Sequence, residues 1–400
     1  MATTTDNSAT ARDDAPSVVK PEGLHLAFLD GVRGLACFYV MFHHAVLDLP
    51  TTGALVPSVL ARVFALGHYA VDVFIVLSGY CLMLPLLRRE GALPFWPFMR
   101  RRAIRILPTY YAAMGLSLLL IATLVGSKTG ANWDASLPVT RRDIVLHLLV
   151  LHEWSTRSMF KISSPFWSIG VEWKIYFLMP AMFALSRRFG AARMAAGAVV
   201  LGYAAWLVIA RLNVLNPSPY GSSPHYVGLF AMGMWAADLS VRGVSERAWA
   251  GARWLFYATT VVLAALTLVN EGGARVLAVQ FMSGIVGFWA ALGLALLRAG
   301  SFGALRRAFS WRPAVFFGQL GYTIYLIHAP IAQFVCHHLL LREAWSDNVR
   351  ALTLLPIYLA CTLAVAIPFY RFFERPLHAL SRRWGAQQRG PALATAQTPL

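Results

Sequence analysis

Long apolar stretches alternate with short polar segments along almost the whole chain. A helix needs about 20 mostly apolar residues to cross a bilayer, and the pattern predicts ten such helices. The predicted spans are residues 27–48, 59–86, 104–126, 165–186, 193–211, 224–240, 254–270, 275–297, 313–341 and 351–373. Residues 143–154 are too short for a span and include two histidines. We expect this segment to lie at the interface or to re-enter the membrane.

Composition supports the same fold class. The chain has 400 residues, of which 58% are apolar and only 13% are charged. A soluble domain usually carries about 25% charged residues. Because the shortage of charge extends along the whole chain, we predict an all-α, polytopic integral membrane protein with about ten transmembrane helices.

The basic residues carry information about orientation. They give a net charge of +17 and fall in short clusters between the apolar runs. Such clusters are typical of topology signals, so we expect no nucleic-acid partner. Most of them fall in the leader, tail and loops on the side that holds both termini. We therefore predict cytoplasmic termini for a multi-pass protein of the cell (inner or plasma) membrane, with the lipid bilayer as its partner.

Polarity divides the chain into three parts. We predict a disordered cytoplasmic leader at residues 1–22, the transmembrane domain at residues 23–376 and a cytoplasmic tail at residues 377–400. The four cysteines lie inside apolar runs without the grouped spacing of a zinc site or a disulfide framework. We therefore predict no metal site.

The first apolar run, LDGVRGLACFYVMFHH, has an arginine near its start and two histidines at its end. Arg33 and His44 lie on one face of a helix, about 16 Å apart along its axis. Asp48 follows one turn later, where a carboxylate could orient the imidazole. His43 is rotated by about 100°. The alternative interpretation is a snorkelling arginine and a histidine near the interface.

Other ionisable residues lie within predicted spans, where they are costly and usually face a partner or a cavity. Asp72 is predicted to pair with an arginine such as Arg33, and the alternative is a catalytic role. Glu172 also needs a partner, and an arginine or a substrate hydroxyl would serve. Tyr325 and His328 are three residues apart and share a helix face.

Two arginines near the start of the third span, Arg102 and Arg105, also share a helix face. Guanidinium groups are well suited to phosphates, so we predict an anion site there. The alternative is a positively charged anchor for the third span, and the two interpretations are compatible. The outward loops contain Trp133, Trp154 and Tyr220, which could stack on sugars or anchor the protein at the interface.

Five motifs, in order from residue 29 to about residue 376, resemble the membrane-bound acyltransferase-3 family of ten-helix O-acyltransferases. They are LDGVRGLACFYVMFHH, VDVFIVLSGY, RRAIRILPTYY, FWSIGVEWKIYFLMP, and the closing pair GYTIYLIHAP and FFERP. The chain departs from many members in two places. Those members have an acidic pair and a glutamine where this chain has Glu172, Trp173 and Lys174, and a serine is common at the position of Gly170.

The resemblance implies transfer of an acyl group, with acetyl expected, from acyl-coenzyme A to a hydroxyl of a carbohydrate or of a glycosylated or polyketide acceptor. The expected catalytic residues are His44 as the base, Asp48 and Glu172. The residues expected to bind the coenzyme are Arg33, Arg102 and Arg105. The rival interpretations are a proton-coupled transporter or flippase of a polar envelope component, and a structural partner in an envelope complex.

Overall fold

Helices account for the regular structure of the described residues. The computed structural model describes residues 26–47, 49, 54–128, 132–218, 221–242, 244–269, 276–336, 338 and 345–387. The helices are α1 (Ala27–Val46), α2 (Leu55–Phe64), α3 (Ala70–Met83), α4 (Phe95–Thr123), α5 (Arg141–Leu148), α6 (Phe166–Phe189), α7 (Ala191–Leu212), α8 (His225–Val241), α9 (Glu246–Val269), α10 (Val276–Arg298), α11 (Gly303–Phe309), α12 (Arg312–Val335), α13 (Asp347–Phe369) and α14 (Arg375–Gln387).

Each predicted span coincides with a helix or with consecutive helical segments, and the predicted all-α, polytopic membrane fold is confirmed. Within the described residues, 7 helical stretches are long and apolar enough to cross a membrane by length and composition. They are Leu55–Leu86, Phe95–Thr123, Ala191–Leu212, Glu246–Leu266, Val279–Arg298, Arg312–Val335 and Asp347–Trp384. The other predicted spans correspond to α1, α6 and α8, which are more polar or shorter. The number of spans stays a prediction.

The two ends of the chain were predicted to be a leader and a tail. The leader, residues 1–22, lies outside the described residues. The first part of the tail is helical, since α14 continues to Gln387. This helix packs on the start of α4, where Ser381 donates a hydrogen bond to the carbonyl of Arg101 at 3.1 Å and Trp384 lies under the Arg100 guanidinium.

The segment between α4 and α6 folds back against α4. It contains a short 3-10 helix, Asn132–Ser136, then α5, and then a second 3-10 helix, His152–Trp154. The hydroxyls of Tyr110 and Tyr111, halfway along α4, donate to backbone carbonyls at the end of α5. A segment that is too short to span is thereby attached to the bundle.

Helices α1 and α12 cross with their backbones in close contact. A side chain on Gly318 would place its Cβ only 1.8 Å from the carbonyl oxygen of Asp30, and one on Gly34 would lie 2.4 Å from that of Ala314. Small residues of this kind let transmembrane helices pack backbone to backbone. One turn further along, the thiol of Cys37 lies 3.4 Å from a carbonyl of α12.

We expect Gly318→Val to destabilise the protein by about 2 kcal/mol or more, because the added atoms meet backbone that no side-chain rotation can move. The matched control is Gly115→Val, since a Cβ added at this helical glycine would have no atom within 4 Å outside its chain neighbours and the backbone of its own helix. Thermal unfolding of the detergent-solubilised protein measures the difference. Equal unfolding temperatures for the two variants would show that the crossing tolerates separation.

Candidate active site

His44 lies beside a second histidine contributed by α12. Its Nδ1 atom is 2.9 Å from Nε2 of His328, and the two rings are stacked with their centroids 5.1 Å apart. His328 is buried at 1% exposure. The α1–α12 crossing therefore brings together two imidazoles that are 284 residues apart in the chain.

The hydrogen-bond partners of His328 determine where the protons lie when both rings are neutral. Its Nδ1 is 2.8 Å from the carbonyl oxygen of Tyr325 and 3.1 Å from that of Ile324. Carbonyl oxygens only accept, so this nitrogen carries the proton and Nε2 is an acceptor. His44 must then donate through Nδ1. Its Nε2 consequently keeps a lone pair that can accept a proton.

His43 and His44 have different surroundings, as their rotation around α1 predicts. His43 donates from Nδ1 to the carbonyl oxygen of Phe64 at 2.7 Å, and Gly67 packs directly against it. His44 instead contacts Trp133, which lies in the first 3-10 helix after α4, with 5.2 Å between ring centroids. His43 thus fastens α1 to the end of α2, whereas the ring of His44 contacts the rings of Trp133 and His328.

Asp48, predicted to orient His44, lies outside the described residues, and its role stays a prediction. The partner that the structure gives to His44 is His328. The sequence placed His328 in the ninth span with Tyr325 but gave it no role. Its spacing shows which face of α12 it occupies, but a single sequence holds no signal that this face packs on α1.

Glu172 lies deeper in the bundle, toward the arginines. Its Oε1 accepts hydrogen bonds from the hydroxyls of Ser78, at 2.7 Å, and Tyr176. Arg102 is close enough to interact with it electrostatically. Its described hydrogen-bond partners are thus two protein hydroxyls. A catalytic role for Glu172 stays a prediction.

The structure brings together the three predicted arginines, Arg33, Arg102 and Arg105, at the end of α1 opposite His44. We call this end of the bundle the arginine side. Arg33 is paired with Asp30 and lies 3.8 Å from the sulfur of Cys81. Arg105 and Arg33 both interact electrostatically with the buried carboxylate of Glu374. That carboxylate also accepts two hydrogen bonds from Thr323.

Arg102 adds an unused donor to this cluster. Its Nε is buried and has no hydrogen-bond partner among the described residues. Arg105 lies nearby, so two like charges are held close together. A buried guanidinium group with an unused donor next to a second cation is suited to bind an anion.

Asp72 does not serve the arginines, so the predicted pairing with Arg33 is wrong. The acidic partner of Arg33 is Asp30, three residues earlier on the same helix. Asp72 is fully buried and interacts with Ser283 and Tyr226. Asp30 and Arg33 are neighbours on the helix surface, so the sequence spacing already contained this pair.

The departure from the family pattern at Lys174 has a structural explanation. Lys174 forms an ion pair with Glu153, a 1% exposed residue of the 3-10 helix after α5, and its ammonium lies 4.5 Å from the centre of the Trp154 ring. A side chain on Gly170 would place its Cβ 2.5 Å from Oε2 of Glu153. Gly170 thus leaves room for the carboxylate of Glu153, and Lys174 provides the positive charge that pairs with it.

A family model for an acyltransferase domain matches residues 26–371. The chain belongs to the acyltransferase-3 family. The family predicted from the sequence motifs is therefore confirmed. In the described part of the chain, no group of three or more His, Cys, Asp or Glu residues is arranged to hold a metal ion.

Two curated relatives are similar to the chain. The peptidoglycan O-acetyltransferase OatA of Listeria monocytogenes is 24% identical over 368 residues, which cover 87% of this chain and 55% of OatA. The acyltransferase MdmB of Streptomyces mycarofaciens is 25% identical over 178 residues, which cover 44% of this chain and 43% of MdmB. The aligned regions span about half the length of these relatives.

We expect Lys174→Met to destabilise the protein by about 3–5 kcal/mol, because it leaves a buried carboxylate without its partner. The double variant Glu153→Gln/Lys174→Met should recover most of that loss. The control is Arg242→Met, which removes the ion pair between a mostly exposed arginine and Asp238 and should cost at most about 1 kcal/mol. Thermal unfolding in detergent compares the variants. A Lys174→Met protein as stable as the Arg242→Met protein would contradict the structural role of this pair.

Proposed function

We propose that this protein transfers an acyl group, with acetyl expected, from acyl-coenzyme A to a hydroxyl of a carbohydrate or of a glycosylated or polyketide acceptor. The observation that carries the proposal is the position of His44. Its Nε2 has a free lone pair in the neutral pair with His328, and the helix that holds it begins at an arginine cluster. Membership of the acyltransferase-3 family supports the reaction class.

The arginine side is the proposed site for the phosphates of the donor. Arg102 and Arg105 lie close together, and Arg33 is connected to them through Glu374. The rise of α1 separates Arg33 from His44 by about 16 Å. The extended pantetheine arm of a coenzyme A held at the arginines would therefore run along α1 and present its thioester near His44.

The chemistry at His44 is proton transfer during acyl transfer. Nε2 takes the proton of the acceptor hydroxyl while the oxygen attacks the thioester carbonyl carbon. The carbon–sulfur bond then breaks, and the leaving thiolate takes the proton back from His44. The products are an ester and free coenzyme A. While His44 is charged, its Nδ1–H donates to His328, and His328 in turn donates to two backbone carbonyls, which disperses the positive charge.

A carbohydrate acceptor is supported by the similarity to OatA, whose name gives peptidoglycan O-acetylation. We propose that the acceptor binds at the end of the bundle that holds His44, opposite the arginine side. Exposed aromatic residues of the adjoining loops, such as Trp154, offer surfaces on which sugar rings stack.

Coenzyme A is a cytoplasmic compound, so we propose that the arginine side faces the cytoplasm of the cell (inner or plasma) membrane. Two observations support the placement of both ends of the described chain on the arginine side. The start of α1 carries Arg33 to this side, and α14 is fastened by Ser381 to Arg101 at the start of α4. The excess of basic residues on the same side supports this orientation.

We expect His44→Ala to lower acyl transfer by about 100-fold or more, because a positioned base typically contributes about 10²–10⁴-fold. His43→Ala is the control, since His43 contacts the end of α2 and should retain most of its activity. The measurement is transfer of labelled acetyl from acetyl-coenzyme A to the glycan fraction of membranes matched for protein level. Full activity in His44→Ala, or uptake of the acceptor without a covalent product, would overturn the proposed function.

His328 is a positioning residue in this proposal, and its variants test that role separately. His328→Ala should lower transfer because His44 loses the acceptor that fixes its tautomer. His328→Gln should restore part of the activity, since an amide oxygen can accept the same hydrogen bond. Equal activities in the two variants, measured at matched protein level, would leave His328 with a packing role only.

We expect Arg102→Ala and Arg105→Ala each to raise the KM for acetyl-coenzyme A by about 10-fold or more, because each removes a charged hydrogen-bond donor. Lysine should rescue only in part, since an ammonium lacks the guanidinium fork. Arg88→Ala is the matched control, because it removes the same charge from an exposed position in the loop between α3 and α4, on this side. If all three alanine variants give the wild-type KM, the arginines serve topology alone.

A further inference from the structure

Trp133 contributes an unused hydrogen-bond donor beside His44. Its side chain is 1% exposed, and its ring lies 5.2 Å from the His44 ring and 6.4 Å from the His328 ring, centre to centre. The indole nitrogen is buried and has no hydrogen-bond acceptor among the described residues. Buried tryptophans usually find a partner for this group. Leaving such a donor unpaired is unfavourable, because the buried N–H has lost its hydrogen bond to water.

Acyl transfer benefits from a hydrogen-bond donor close to the thioester carbonyl oxygen, beside His44. When the acceptor oxygen attacks the thioester, the carbonyl oxygen gains a negative charge that is lost when the carbon–sulfur bond breaks. His44 handles the proton and does not neutralise this oxygen. A pre-positioned hydrogen-bond donor that meets the oxygen in the transition state is worth about 10²–10³-fold in kcat.

The donors of three neighbouring side chains are already engaged. His43 donates to the carbonyl of Phe64, and His328 donates to carbonyls of its own helix. The hydroxyl of Tyr325 is held by Ser168 and by the carbonyl of Pro165. Among these four side chains, Trp133 has an N–H that no atom of the described residues accepts.

We propose that the indole N–H of Trp133 donates to the thioester carbonyl oxygen and stabilises the oxyanion that forms during transfer. The proposal rests on the proposed function, because it assigns a group to the same reaction. It makes Trp133 a catalytic residue supplied by the segment between α4 and α5. The substrate oxygen would then satisfy a donor that is otherwise buried without a partner.

The test is Trp133→Phe, which keeps an aromatic ring and removes the N–H. We expect kcat to fall by about 10²–10³-fold with little change in the KM for acetyl-coenzyme A, because the contact strengthens in the transition state. The control is Trp206→Phe. Trp206 is equally buried at 1% exposure, and its indole nitrogen also lacks a hydrogen-bond partner within the described residues. It lies on α7, which packs on α6 and α8. It should retain wild-type kcat.

A second replacement separates the donor from the shape of the ring. Benzothienylalanine at position 133 replaces the N–H by sulfur and preserves the bicyclic ring, so it should reproduce the fall in kcat while the protein still elutes as a folded species in size-exclusion chromatography. Wild-type kcat in this variant, or a change confined to KM, would overturn the proposal. Active Trp133 variants with an inactive His44→Ala protein would remove this inference alone. An active His44→Ala protein would remove the proposed function itself.

Discussion

The placement of the site depends on the direct backbone contact between α1 and α12. Gly318 lets the carbonyl of Asp30 approach to a distance that any side chain would prevent. Helices in lipid gain little from hydrophobic association, so close packing of small residues is a main source of their attraction. The same crossing brings His44 to 2.9 Å from His328. A shift of one helix past the other would break this hydrogen bond and leave the tautomer of His44 undefined.

Polar groups within such a bundle must find partners inside the protein, because lipid offers none. Arg33 has Asp30. Nε of Arg102 and the indole nitrogen of Trp133 are among the buried donors that lack a partner within the described residues. They lie at opposite ends of the stretch of α1 that begins at Arg33 and ends at His44. A coenzyme A thioester has its phosphates at one end and its reactive carbonyl at the other. One bound acyl-coenzyme A molecule would therefore supply an acceptor for each of these two N–H groups.

The sequence predicted the helices well, because lipid requires about 20 apolar residues per span and helical spacing fixes which residues share a face. Arg33, His44, Arg102 and Arg105 were selected as candidates in this way. The contacts between distant helices were not predictable, since one sequence does not reveal which faces pack together. The pairing of His44 with His328 belongs to this class. So does the buried location of Asp72, which the sequence assigned to an arginine.

The segment between α4 and α6 shows why a loop residue can act as a fixed catalytic group. Oxyanion stabilisation requires a donor that is already in position, because reorganisation during the reaction would consume its benefit. The segment is fastened to α6 by the ion pair of Glu153 with Lys174 and to α4 by the hydroxyl of Tyr110. Lys161 also donates to the carbonyl of Leu137 and ties the two ends of the segment together. The unusual lysine in α6 therefore compensates a buried carboxylate of this segment, and it helps to hold rigid the segment that carries the indole beside His44.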